Sequence, residues 1–168
     1  MKKQFLLIAS FLVIAISSFA TGKPSVGKSS RNWSVDQPFG SISAKGNIEV
    51  VLVPDDSKTI SIEGTDKYVN AMNLEVDNGV LKITGLKGSA KNRAIVYVPV
   101  RDINKVTLRG GADLSSKGRL KSKQLFIRIE GVSKVNVKNI GEIVIDSDDL
   151  HQFYYEKAER SIIRIEKA

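Results

Sequence analysis

Lys117, Arg119, Lys121 and Lys123 recur at every second position. In an extended segment that spacing puts all four on one face. Arg128 follows in the next stretch, with Lys134 and Lys138 beyond it. If successive strands stacked, these cations would form a strip of spaced positive charge, suited to a polymer with spaced negative charge. Lys117, Arg119, Lys121, Lys123 and Arg128 are therefore the candidate polyanion-binding residues. The competing interpretation is a solvated face, or lysines that guard a strand edge against pairing, which is what charge runs more often are.

Other residues suggest chemistry that their surroundings do not support. Gly22-Lys23-Pro24-Ser25-Val26-Gly27-Lys28-Ser29 has the spacing of a phosphate-binding loop. That mechanism needs a strand before the loop and a helix after it. Ser30 to Ser34 and Pro38 follow without an apolar helical face, so the match is read as coincidence. Asp146, Asp148 and Asp149 offer oxygen ligands, but the calcium-loop pattern and its bidentate glutamate are missing. His151, the only histidine, has no evident partner for general-base work. Asp102, Asp113 and Glu130 are the acids nearest the glycine corners. Glycoside hydrolysis needs two carboxylates roughly 5–10 Å apart, and no spacing here pairs them. No catalytic, cofactor or metal residue is assigned. A polysaccharide lyase or hydrolase stays as the alternative to a non-catalytic binding module.

The N-terminus carries an export pattern. Lys2 and Lys3 precede an apolar run from Phe5 to Ile16, and Ser18-Phe19-Ala20 presents small residues for cleavage after Ala20. The run is shorter than the about 20 residues a membrane span needs, and no later stretch is long enough. Residues 1–20 are thus expected to be a signal peptide, 21–38 a flexible arm, and 39–168 a single domain. Removing Lys2 and Lys3 lowers the basic residues from 26 to 24 against 18 acidic ones. The remaining excess favours acidic partners. Export makes an acidic glycan or envelope polysaccharide the better candidate and nucleic acid the poorer one. The absence of cysteine excludes disulfides, thiolate metal sites, cysteine nucleophiles and a lipidated N-terminal cysteine.

The elements that would position these residues read as strands. Ile48, Val50 and Leu52 alternate, as do Ile60 and Ile62 beyond Pro54-Asp55-Asp56. Asp77-Asn78-Gly79 between two alternating segments predicts a hairpin, since Asn and Gly tolerate positive φ. Asp66 to Met72 suits one helical turn. Val106 to Asp113 resembles Phe126 to Ser133 twenty positions later, matching Gly111 with Gly131, Ala112 with Val132, Leu120 with Ile140 and Leu125 with Ile145. A period near twenty with single glycines fits the coil of a β-solenoid; an antiparallel sandwich with accidental spacing is the other possibility. Ile162 to Ile165 reads as a closing strand.

Several motifs occur in an order that resembles the head-GIN domain family, named for auto-transporter adhesins. They are Phe39-Gly40-Ser41-Ile42, then Gly46-Asn47-Ile48-Glu49-Val50, whose Asn and Ile are transposed relative to the usual Gly-Ile-Asn. Ile60-Ser61-Ile62-Glu63-Gly64, Asp77-Asn78-Gly79-Val80-Leu81-Lys82-Ile83 and Val96-Tyr97-Val98-Pro99 follow, with the Gly-Ala-Asp and Gly-Val-Ser corners last. The resemblance covers about residues 39–146. It implies an all-β fold: an N-terminal strand and hairpin region leading into a short right-handed parallel β-helix-like solenoid. It also implies an exported protein of an outer-membrane bacterium, periplasmic or at the cell surface, with an adhesin-like role and fewer coils than longer members.

Overall fold

The computed structural model describes residues 28–88, 92–148, 153–155 and 162–167. The expected signal peptide, Asp149, His151 and most of the phosphate-loop match lie outside them. In chain order the strands are β1 (Lys28–Ser34), β2 (Ser41–Lys45), β3 (Ile48–Val53), β4 (Thr59–Thr65), β5 (Asn73–Asp77), β6 (Val80–Thr84) and β7 (Ala94–Pro99). They continue as β8 (Lys105–Arg109), β9 (Asp113–Leu120), β10 (Gln124–Glu130), β11 (Ser133–Asn139), β12 (Glu142–Ser147), β13 (Phe153–Tyr155) and β14 (Ile163–Lys167). One short helix, α1 (Asp66–Asn70), follows β4. It is not long enough to cross a membrane.

The strands form two sheets. Sheet A runs β1-β4-β7-β3-β9-β11-β13, and sheet B runs β14-β12-β10-β8-β2-β6-β5. From β6 onward the chain alternates between them. Both sheets are mixed: β1 with β4, β4 with β7 and β5 with β6 are antiparallel, and the remaining pairs are parallel. The chain is mostly β, and neither sheet closes into a barrel.

The alternation explains why these segments become strands. Every second residue turns inward, and the parallel register lines those residues up. On sheet B, Leu81 pairs with Ile42, Ile42 with Val106, Val106 with Ile127, and Ile127 with Ile145. None of the five exceeds 1% exposure. Burying each such side chain contributes about 1.5–3 kcal/mol, so a slip of one residue, which would turn the row to solvent, is strongly opposed. Ile62, Val96, Val50, Leu114 and Val135 form the facing row on sheet A.

The predicted hairpin is present: β5 and β6 are joined by Asn78 and Gly79, with φ of 49° and 74°. Positive φ at both central residues matches the twist of the flanking strands. Two expectations change. Within the expected arm, Lys28–Ser34 form β1, which pairs with β4 throughout its length and turns Arg31 and Trp33 to its less exposed side. Its alternation was hidden because only one of those residues is strongly apolar. The repeat is also not uniformly twenty. Leu108 pairs with Ile129 and Leu114 with Val135, an offset of 21, whereas Leu125 pairs with Ile143, an offset of 18. Continuing the first offset places Gly131 beside Gly110 rather than Gly111, and Ser133 beside Ala112. The packing agrees: Ser133 is 1% exposed and Val132 is 56% exposed.

Candidate binding surface

Charge is neutralised over most of the two outer faces and is left unpaired in one region. On sheet B the arginines are neutralised across strands. Arg109 donates two hydrogen bonds to Glu130, at 2.6 and 2.9 Å. Arg128 donates to Asp146 at 2.7 Å and also reaches Glu130 and Asp148. Arg164 meets Glu142. The Arg109 guanidinium, aided by Arg128, holds the Glu130 carboxyl below its ordinary range. Arg128 therefore leaves the candidate strip: it belongs to the face opposite β9, and carboxylates surround it. Its burden also explains Asp146 and Asp148, which are partners of an arginine. No metal-binding group of acids forms among the described residues.

On sheet A the other four candidates remain together at the end of β9 and in the turn after it. The pairing of β9 with β11 slips here. Ser115 faces Asn136 but Arg119 faces Lys138, so β9 holds two extra residues. This bulge brings Lys117 onto the surface and sets Arg119 opposite Lys138. Like charges directly opposite on neighbouring strands repel. Among the described residues, neither of these two nor Lys117 or Lys123 makes an ion pair with a carboxylate. Lys117 extends across β3 and sets its ammonium 4.6 Å from the centre of the Tyr97 ring. The Tyr97 hydroxyl donates to Glu63 at 3.3 Å. Burial first, and then the Glu63 charge, push that phenol above its usual range. Lys121, at the turn, lies in the field of Asp56.

The acids near the glycine corners are not brought together. Asp102 lies between β7 and β8, Asp113 is on sheet A, and Glu130 is on sheet B. A carboxylate pair with no local pattern to couple it does form. Glu49 and Asp113 are neighbours on β3 and β9, and Arg93 bridges them. Asp113 also accepts the Lys134 backbone N–H at 2.7 Å, and Glu49 accepts the Ser115 hydroxyl at 3.2 Å. Only parallel pairing of segments 64 positions apart creates this contact, and no local pattern signals it.

Residues 38–148 match the family described as "Putative auto-transporter adhesin, head GIN domain". The chain belongs to this family. Its head GIN motif, here Gly46-Asn47-Ile48, makes the corner between β2 and β3. Gly46 has φ of 108°, and a Cβ there would lie 2.5 Å from the Gly85 carbonyl oxygen. A neighbouring corner thus occupies the space a side chain would need. Asn47 receives the corner on both sides: its backbone N–H donates to Leu86 at 2.9 Å, and its side-chain amide donates to the Asn92 carbonyl. Ile48 points inward at 1% exposure.

Solved structures of similar fold include two putative adhesins. A putative adhesin from Parabacteroides distasonis ATCC 8503 aligns with a TM-score of 0.57 at 18% identity, over 74% of this chain and 60% of that one. A putative adhesin from Parabacteroides merdae ATCC 43184 aligns with a TM-score of 0.53 at 17% identity, over 72% of this chain and 58% of that one. The chain therefore spans about three fifths of the length of these relatives. Among curated proteins, none matches its sequence.

Proposed function

We propose that this head GIN protein is an exported, non-catalytic, adhesin-like module that holds an acidic glycan of the cell envelope. The cations at the ends of β9 and β11 would contact the glycan. The observation that carries the reading is Arg119 opposite Lys138, with no carboxylate partner for either among the described residues. That pairing opposes folding, and a bound polyanion would relieve it. The neutralised arginines elsewhere, those of sheet B and Arg93 against sheet A, supply the contrast within the same molecule. The glycan's spaced charges would meet Lys117, Arg119, Lys121, Lys123 and Lys138. As stacked parallel coils, the alternating sheets would fix the spacing of those cations at little ordering cost. Periplasm or cell surface of an outer-membrane bacterium is the proposed location, in keeping with the adhesin-like family.

Glu49 and Asp113, carboxylates on neighbouring strands, are both committed to Arg93, and Glu130, Asp146 and Asp148 are committed to Arg128. That arrangement favours binding over hydrolysis. The test is titration with a polyuronate and with a neutral glucan of equal length. Only the polyuronate should bind, and affinity should fall steeply between about 50 and 500 mM salt as exposed charges are screened. Lys117→Glu with Lys121→Glu should weaken binding more than Lys45→Glu with Lys87→Glu, and Arg128→Gln should leave it unchanged. Equal losses for both lysine pairs would reduce the effect to net charge, and binding that ignores salt would overturn the proposal.

A further inference from the structure

Three connections meet at the end of the domain where β3 and β7 finish. Residues 35–39 lead from β1 to β2, residues 55–58 lead from β3 to β4, and residues 99–103 lead from β7 to β8. Between them lies a cleft of about 550 Å³, a volume typical of small-molecule sites. Its floor is apolar. Val35, Val100 and Ile103 are 8%, 5% and 2% exposed, and half-buried Phe39 forms one wall. Hydrogen bonds between the connections hold the cleft open. The Val35 N–H donates to the Lys58 carbonyl at 2.7 Å, Val100 to Val53 at 2.8 Å, and Asn104 to Gly40 at 3.0 Å. Arg101 adds two bonds to Asp56, at 2.7 and 2.5 Å.

The charge of the rim runs against that of the chain. The whole sequence carries a formal +8, yet the cleft gathers Asp36, Asp55, Asp56 and Asp102 against Lys58 and Arg101. Asp56 and Arg101 neutralise each other. Asp55 turns one carboxylate oxygen back to the N–H groups of Asp56 and Ser57. Asp36 and Asp102 line the recess and, among the described residues, make no ion pair, although Asp102 lies in the field of Arg101. An apolar floor under negative charge is complementary to one class of ligand. We propose that this cleft binds a small organic cation, with an ammonium between Asp36 and Asp102 and an apolar body on Phe39, Val35, Val100 and Ile103. The cleft adjoins the basic strip where Lys121 lies in the field of Asp56, but its ligand has the opposite charge, so the two proposals are told apart by which probe binds.

Three six-carbon probes that differ only in head group test this: n-hexylammonium, n-hexanol and hexanoate. Binding is followed through the methyl NMR signals of Val35, Val100 and Ile103 in the purified chain. Hexylammonium should shift those signals and bind about tenfold more tightly than hexanol, within the range expected of two exposed ion pairs. Hexanoate should bind more weakly than hexanol. Asp36→Asn with Asp102→Asn should bring hexylammonium down to the affinity of hexanol while leaving polyuronate binding unimpaired. Both aspartates are exposed and unpaired, so the variant should fold, and its methyl spectrum without ligand checks that. Equal affinity for hexylammonium and hexanol, tight hexanoate binding, or methyl signals that respond to none of the three would each overturn the proposal.

Discussion

Replacing Ser133 by alanine should stabilise the protein. Ser133 is 1% exposed, and its hydroxyl is buried without a hydrogen-bond partner in the protein. The register of β9 with β11 pairs Leu114 with Val135. Two residues earlier it places Ser133 on the rung after Ala112, which is fully buried. Alanine therefore already fits the equivalent position one strand away. A buried hydroxyl without a partner costs about 1–3 kcal/mol, and alanine removes it without leaving a cavity larger than one oxygen. Alanine's weaker strand preference offsets a few tenths of a kcal/mol. The expected net gain is about 1 kcal/mol, or roughly 3 °C in Tm for a domain of this size. Urea denaturation should show a higher midpoint with an unchanged slope. Ala112→Ser should lose about 1–3 kcal/mol by the same reasoning. Val132→Ser tests the register itself. At 56% exposure it should change stability by less than about 0.5 kcal/mol. A Ser133→Ala protein less stable than the parent would mean that the hydroxyl is satisfied. A loss above about 2 kcal/mol at Val132 would mean that the twenty-residue register was right after all.

Gly46→Ala should cost about 2 kcal/mol or more in chemical denaturation, because its φ of 108° and the Gly85 carbonyl both oppose a Cβ. Gly111→Ala, also at positive φ but with open space around it, should cost less. Glu130→Gln should flatten the acid limb of the stability curve. The parent carboxyl is held below its ordinary value of 4.5 by Arg109. Its contribution is therefore present above that value and is lost as pH falls through the lower, folded-state value. Stability measured from pH 6 downward should converge for parent and variant in strong acid, and parallel curves would refute this. For the polyuronate, Arg119→Ser should weaken binding while raising stability slightly, by about 0.2–1 kcal/mol, since it removes the repulsion with Lys138. Thermal melts without ligand check the second half of that expectation.

Much of the sheet structure follows from patterns that act over a few residues. Alternation in Ile48-Glu49-Val50 or Leu125 to Ile129 is a local property of extended chain: side chains change sides at every step, so apolar spacing of two announces a buried face. The Asn78-Gly79 turn is equally local, because backbone sterics at two residues select it. The ordered head GIN motifs likewise identified the family. β1 was harder to see because its inward residues include Arg31, and its place as a strand depends on β4 alongside it.

Residue types and spacing alone thus determined the β class, many of the inward-facing residues and the hairpin. Tertiary pairing decided the rest. Offsets of 21 and 18 between neighbouring strands arise because corners and bulges can absorb extra residues while the inward rows remain aligned. An averaged period conceals those differences. The same bulge put Lys138 opposite Arg119, and the alternation between sheets carried Arg128 to the other face, among carboxylates. Charge along a sequence is visible residue by residue, but whether a charge is neutralised depends on which distant strand lies beside it.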